Sequence, residues 1–206
     1  MASRLQMVTR SSQRASLRSG PVNDSRRSDA QPRDLTTTVS RAIQRGKTWA
    51  AIFTRADSVL VEPDPHWATV AVRIGDLTVV SSVLPWRSHG PEWGGSTMVV
   101  DLHKALAPIR AQVDEATVWG GDWNQALECG EYVGTLDGRK QILELLDASR
   151  LSVPTRSLGS ATPGHRSIDH IAVPVSWDVD AAYRVPAKAQ GQRLSDHDMY
   201  VISANR

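Results

Sequence analysis

The sequence predicts one layered α/β domain over residues 47–206, and three observations carry that prediction. Short apolar runs of strand character alternate with two longer segments of helical period. Turn signals fall between them. Polar residues collect at the ends of the apolar runs rather than inside them. The chain has 206 residues, of which 40% are apolar and 22% charged, enough for one domain of ordinary size and composition.

Residues 1–46 differ from the rest. They hold nine Arg against three Asp (Asp24, Asp29, Asp34) and no aromatic residue. A segment this polar buries too little apolar surface to offset its ordering entropy, so it is expected to be mostly disordered. Leu35, Val39 and Ile43 share a helical face, which predicts a short helix over 35–45. Two readings of the segment remain open: a basic arm for phosphates, or a lead-in unrelated to the domain.

From Trp49 onward the elements follow in order. Apolar runs at 50–54 and 58–62 are separated by a turn. Residues 67–74 alternate, with Ala68, Val70, Val72 and Ile74 directed to one face. Residues 77–84 form a second Val-rich run, and Gly75-Asp76 between the two suits a tight hairpin turn. Residues 98–113 place Leu102, Leu106, Ile109 and Val113 on one helical stripe, with Pro108 expected to bend it. A strand at 116–120 ends in Gly120-Gly121-Asp122. A second helix over 138–150 turns Ile142, Leu145 and Leu146 inward. Residues 167–173 and 200–203 read as strands that each begin just after a polar cluster.

Composition excludes several classes. The net charge is only +2, so the whole molecule is not a polybasic nucleic-acid binder. The single cysteine, Cys129, allows no internal disulfide and no zinc site, and no histidine in its own segment would poise it as a nucleophile. No stretch approaches the roughly 20 apolar residues a membrane span needs, and the N-terminus has no apolar signal core. The expectation is a cytoplasmic protein without a transmembrane segment.

Four polar clusters stand at strand ends: Asp122 with Asn124, Asp169 with His170, Asp196 with His197, and the Leu-Pro-Trp-Arg segment at 84–87. Loops on a rigid sheet are a common seat of catalysis. Asp122, Asp169 and Asp196 are hard oxygen donors, suited to magnesium or manganese rather than zinc. Asn124, two residues beyond Asp122, can lie on the same side of an extended loop. His197 can donate to a phosphate oxygen as charge builds, with a neighbouring carboxylate fixing its tautomer. The set is equipped for metal-assisted hydrolysis of a phosphate ester. Each cluster alone also has an ordinary explanation in turn, cap or strand-edge chemistry.

Taken together, Gly-Gly-Asp-Trp-Asn, Ser-Ile-Asp-His-Ile and Leu-Ser-Asp-His resemble, in this order, the endonuclease/exonuclease/phosphatase superfamily. Apurinic endonucleases and pancreatic-type deoxyribonuclease are among its members. The resemblance covers roughly residues 47–206. It implies a two-sheet β-sandwich flanked by helices, a four-layer α/β sandwich, here N-terminally truncated. It also implies that Asp122 orients or deprotonates the attacking water, that Asn124 positions water or phosphate, and that His197 binds the scissile phosphate. Asp169 would hold the imidazole, and Asp196 with Asp122 would hold a Mg2+ or Mn2+ ion. His170 is expected to point the other way along its strand.

The superfamily pattern also calls for an Asn-bearing first strand and a strand ending in Gln-Glu, whose Glu binds metal. Neither is found in the sequence. Val83 stands where a phosphate-binding His or Tyr is expected. Either the leading strands are missing, or ligands come from elsewhere, with Asp64, His66 and Glu92 as candidates. The function expected is a metal-dependent phosphoesterase acting on a phosphate-ester substrate, DNA or RNA foremost. The alternative is a catalytically impaired remnant of the fold acting as a binding module. Trp86, Trp93 and Trp123 either stack on bases or pack the cleft wall. Arg87 and His89 either contact phosphate or belong to a solvated loop.

Overall fold

A computed structural model describes Leu5–Thr9, Thr36–Val39, Ala42–Gln44 and residues 47–128 and 133–206. Cys129 lies outside the described residues. The chain opens with β1 (Leu5–Thr9), β2 (Thr36–Val39), β3 (Ala42–Gln44) and β4 (Lys47–Thr48). There follow β5 (Ala51–Thr54), β6 (Val59–Leu60), β7 (Thr69–Ile74), β8 (Leu77–Val83), a 3-10 turn at Pro91–Trp93 and helix α1 (Met98–Arg110). Then come β9 (Thr117–Asp122), helix α2 (Leu136–Ala148), β10 (Leu151–Ser152) and β11 (Asp169–Pro174). The chain ends with β12 (Asp178–Val185), β13 (Lys188–Ala189), β14 (Gln192–Arg193) and β15 (Met199–Asn205).

The architecture is the expected mixed α/β sandwich. A six-stranded sheet runs in the order β10-β11-β9-β8-β7-β6, and a second sheet in the order β1-β15-β12. The β7–β8 hairpin turns at Gly75, whose φ of 62° supplies the left-handed residue a tight turn needs. β8 then runs parallel to β9, with α1 as the crossover between them. Thr97 caps α1 by accepting from the Val100 N–H, and Thr135 caps α2 by accepting from Gly138. Pro108 stays inside α1.

Both faces of the six-stranded sheet are buried, which fixes the layer order. On one face Val80, Val83 and Trp119 pack with Leu102, Leu106 and Ile109 of α1 and with Ile142 and Leu145 of α2. On the other, Val70, Val72, Val79, Val118 and Ile171 meet Ile52, Tyr200 and Ile202. Val70 and Val72 share a face as expected, but Ala68, just before β7, turns to the helix side.

One expectation needs correction. The helix over 35–45 is absent: β2 and β3 occupy that stretch, and β2 pairs antiparallel with β5. Three consecutive Thr and a Val are β-branched and fit a pleated strand, and pairing outweighed the i, i+4 spacing. Strand β1 pairs antiparallel with β15. Neither an Asn-bearing first strand nor a Gln-Glu strand is among the described residues. Strand β12 lies where the sequence predicts no element.

Candidate active site

Adjacent strands bring the predicted residues together. Asp122 is the last residue of β9, with Val83 of β8 beside it in parallel register and Asp169 of β11 beside it in antiparallel register. His197 precedes β15 by two residues. Its Nδ1 lies 2.7 Å from Asp169 Oδ2, and its Nε2 lies 4.0 Å from Asp122 Oδ2. One potential ligand atom each from Asp122, Asp169 and His197 falls within 4.8 Å of the others. The two carboxylates are buried and the imidazole is partly exposed, so solvent reaches the site from the His197 side.

The local backbone explains the placement. Gly121 has φ 141°, and a Cβ there would stand 1.9 Å from the Ser82 carbonyl oxygen, so β8 and β9 can approach only at a glycine. Asn124 adopts φ 52°, a conformation Asn tolerates better than most residues. Its backbone N–H donates to Asp122 Oδ1 (3.1 Å), and its Nδ2 donates to the Leu84 carbonyl (2.8 Å), tying the two strand ends. Ser167 Oγ accepts from the Asp169 N–H at the start of β11.

The electrostatics follow from crowding. Burial raises Asp122 well above the carboxylate range, to about 7, and the Asp169 charge adds to the rise, while His197 and the Asn124 N–H oppose it. Burial also raises Asp169, although the His197 bond pulls the other way. Burial pulls His197 down, yet Asp169, Asp122 and Asp196 together lift it to about 9. A single ion pair would lower its acid while raising its base. Here both partners move up, because burial and the charges of Asp196 and Asp198 act on Asp169, whereas the 2.7 Å bond to Asp169 leads the rise of His197.

Asp122 Oδ2 is buried and has no hydrogen-bond partner. Such an atom is costly to leave bare. The 4.0 Å between it and His197 Nε2 leaves room for one bridging water or a small cation. The two carboxylates suit Mg2+ or Mn2+, so the donor set fits the expected ion.

The remaining predicted residues sort differently. Asp196 is exposed and stands outside the three-residue cluster, but its charge acts on Asp122, Asp169 and His197. His170 points away, fully buried, with Nε2 2.9 Å from the Gln125 carbonyl. Among the described residues, neither Asp64, His66, Glu92 nor any other Glu joins the cluster. His66 instead stacks on Trp93, with ring centroids 5.2 Å apart. Trp123 is buried against Trp119, and Trp86 and Trp93 form a cluster with Trp49 and Trp67, so these rings are wall rather than free platform. His89 is bound to Asp101 at 2.9 Å and to the Trp86 carbonyl, while Arg87 is exposed. Asp198 was missed: it is buried beside the site, and the only signal was its place in Asp196-His197-Asp198.

No protein-family model matches the sequence, and no curated protein matches it. Solved structures do. One is an AP endonuclease from Archaeoglobus fulgidus, with TM-score 0.60 and 16% identity over 82% of this chain and 78% of that one. Another is a 3'-5' exonuclease, NExo, from Neisseria meningitidis, with TM-score 0.56 and 17% identity over 74% of this chain and 73% of that one. A third is the endonuclease domain of TRAS1, a telomere-specific non-LTR retrotransposon, with TM-score 0.55 and 16% identity over 82% and 78%. The chain has the endonuclease/exonuclease/phosphatase fold. Among the described residues, no helix is long and apolar enough to cross a membrane.

Proposed function

We propose that this protein is a divalent-metal-dependent phosphoesterase, with nucleic acid as its substrate. The observation that carries the proposal is the unpartnered Asp122 Oδ2, 4.0 Å from His197 Nε2, in a site whose other carboxylate fixes the imidazole. The nuclease and phosphatase neighbours agree with it, and NExo has been captured with a product DNA hairpin.

Each residue has a role in this reading. Asp122, raised to about 7, is poised to take a proton from water near neutral pH. Asn124 retains a second Nδ2 hydrogen to offer water or a phosphate oxygen. Asp169 fixes the ring so that Nδ1–H faces the carboxylate and Nε2–H faces the substrate. As an imidazolium, His197 offsets the charge growing on the phosphoryl oxygens. Asp122, with Asp196 nearby, would hold Mg2+ or Mn2+, which supplies Lewis-acid charge to the phosphate.

A second reading, a catalytically impaired binding module, is favoured by one observation: no Glu among the described residues joins the acidic cluster. Hydrolysis of single-stranded DNA, duplex DNA and a chromogenic phosphodiester with Mg2+ or Mn2+ separates the two. The enzyme reading requires the wild type to outpace Asp122→Ala and His197→Ala. Equal rates, with no calorimetric Mg2+ binding at millimolar concentration, favour the module.

A further inference from the structure

The loop that delivers His197 is held from beneath by a second set of charges. Asp198 is only 4% exposed. Its Oδ1 accepts from Arg193 Nη2 at 2.9 Å and from the Ala187 N–H at 3.0 Å, and its Oδ2 lies 3.5 Å from Arg184 Nη1. The same Arg193 Nη2 donates to the Asp196 carbonyl at 3.1 Å. One guanidinium therefore spans His197, gripping the residue before it by its backbone and the residue after it by its carboxylate.

The grip is anchored on three sides. Arg193 stands on β14, joined to β13 by a turn in which Gln190 has φ 49° and Gly191 φ 79°. Two successive positive φ values match the twist of a two-residue hairpin, so the arm presenting Arg193 is short and stiff. Arg184 lies opposite Tyr200 in the β12–β15 register and also donates to the Ser160 carbonyl. The His197 N–H itself donates to Ser195 Oγ at 3.2 Å. A buried carboxylate shared by two guanidinium groups carries a desolvation penalty that only full pairing offsets. What it contributes is direction, because the planar fork fixes its partners in angle as well as distance.

We infer that Arg193 and Asp198 are positioning residues for His197. They set the backbone on both sides of it so that Nδ1 meets Asp169 while Nε2 faces Asp122. The catalytic consequence rests on the phosphoesterase reading, but the geometric claim does not.

The test uses the full chain with Arg193→Gln, Asp198→Asn and, as a control on the same hairpin, Lys188→Ala. Proton NMR should find a strongly hydrogen-bonded His197 Nδ1–H in the wild type and Lys188→Ala, missing from Asp169→Asn. In Arg193→Gln and Asp198→Asn it should shift or broaden. Where the wild type turns over, kcat should fall about 10- to 100-fold in these two variants, as outer-shell changes do, with KM little changed. An unchanged proton in Arg193→Gln overturns the inference whatever the turnover. So does a rise in KM at constant kcat, which would make Arg193 a substrate contact. If no substrate is hydrolysed by the wild type, the phosphoesterase reading fails and the proton alone decides. If Asp198→Asn does not fold, Arg193→Gln decides.

Discussion

His197 Nδ1 stands 2.7 Å from Asp169 Oδ2, and the same ring turns its other nitrogen toward a buried, unpartnered oxygen of Asp122. Twenty-eight residues of chain separate the first pair, so the contact is made by the sheets and not by local sequence.

Replacing Asp169 by Asn should leave the fold intact and disarm the ring. The amide keeps the shape but loses the charge that holds the imidazolium. A loss of about 100-fold or more in kcat is expected if His197 acts as a charged donor, with far-UV circular dichroism unchanged. Steady-state kinetics on a chromogenic phosphodiester would check it, and a rate equal to wild type removes Asp169 from the mechanism.

Stability should fall on the alkaline side. His197 titrates at about 9 in the folded protein against 6.5 for a free imidazole, so the folded state binds the proton more tightly. That contribution is complete below pH 6.5 and is lost as pH rises through 9. Its size is on the order of 3 kcal/mol. Urea midpoints from pH 6 to 10 should decline more steeply in the wild type than in Asp169→Asn. Parallel slopes would refute the coupling.

Gly121→Ala should damage the protein as a fold, not only as a site. The added methyl would enter the Ser82 carbonyl at a φ of 141°. Overpacking and backbone strain of this kind cost about 1–3 kcal/mol or more. Thermal denaturation would read the loss, and a melting temperature equal to wild type would contradict the close approach of β8 and β9.

Asn124 offers a cleaner separation of fold from chemistry. Asn124→Gly keeps the φ of 52° accessible while deleting the side-chain amide. The melting temperature should drop only slightly, and hydrolysis should drop strongly. Loss of stability with hydrolysis retained would make Asn124 a strand tie alone.

The tryptophan cluster should be mainly structural. Trp93 is buried against Trp67, with centroids 4.5 Å apart. Trp93→Ala should cost about 3–5 kcal/mol. Unchanged stability together with weakened oligonucleotide binding would instead assign the rings to recognition.

Much of this was legible in the sequence for a definite reason. Asp122 stands where an apolar run stops and Asp169 and His197 where one begins, and carboxylates at strand ends announce themselves against Val, Ile and Ala. Asp198 did not, because its partners Arg184 and Arg193 look like ordinary surface charges until β12 and the hairpin are folded. Strand β12 itself was hidden: Asp178, Asp180 and Arg184 interrupt its apolar pattern, and its burial alternates only weakly. The missed β2 shows the converse. Thr36, Thr37 and Thr38 carried the β signal, while a coincidental spacing of Leu35, Val39 and Ile43 suggested a helix.

The pairing of β1 with β15 sets Leu5 against Ala204 and Thr9 against Tyr200. During synthesis β1 must therefore wait until β15 has been made before its neighbour exists, and β12 waits for the same strand. Such long-range closure is slow. The sheet behind His197 is thus completed last, and until β15 is in place the face of the six-stranded sheet that meets Tyr200 and Ile202 has no apolar cover from that strand.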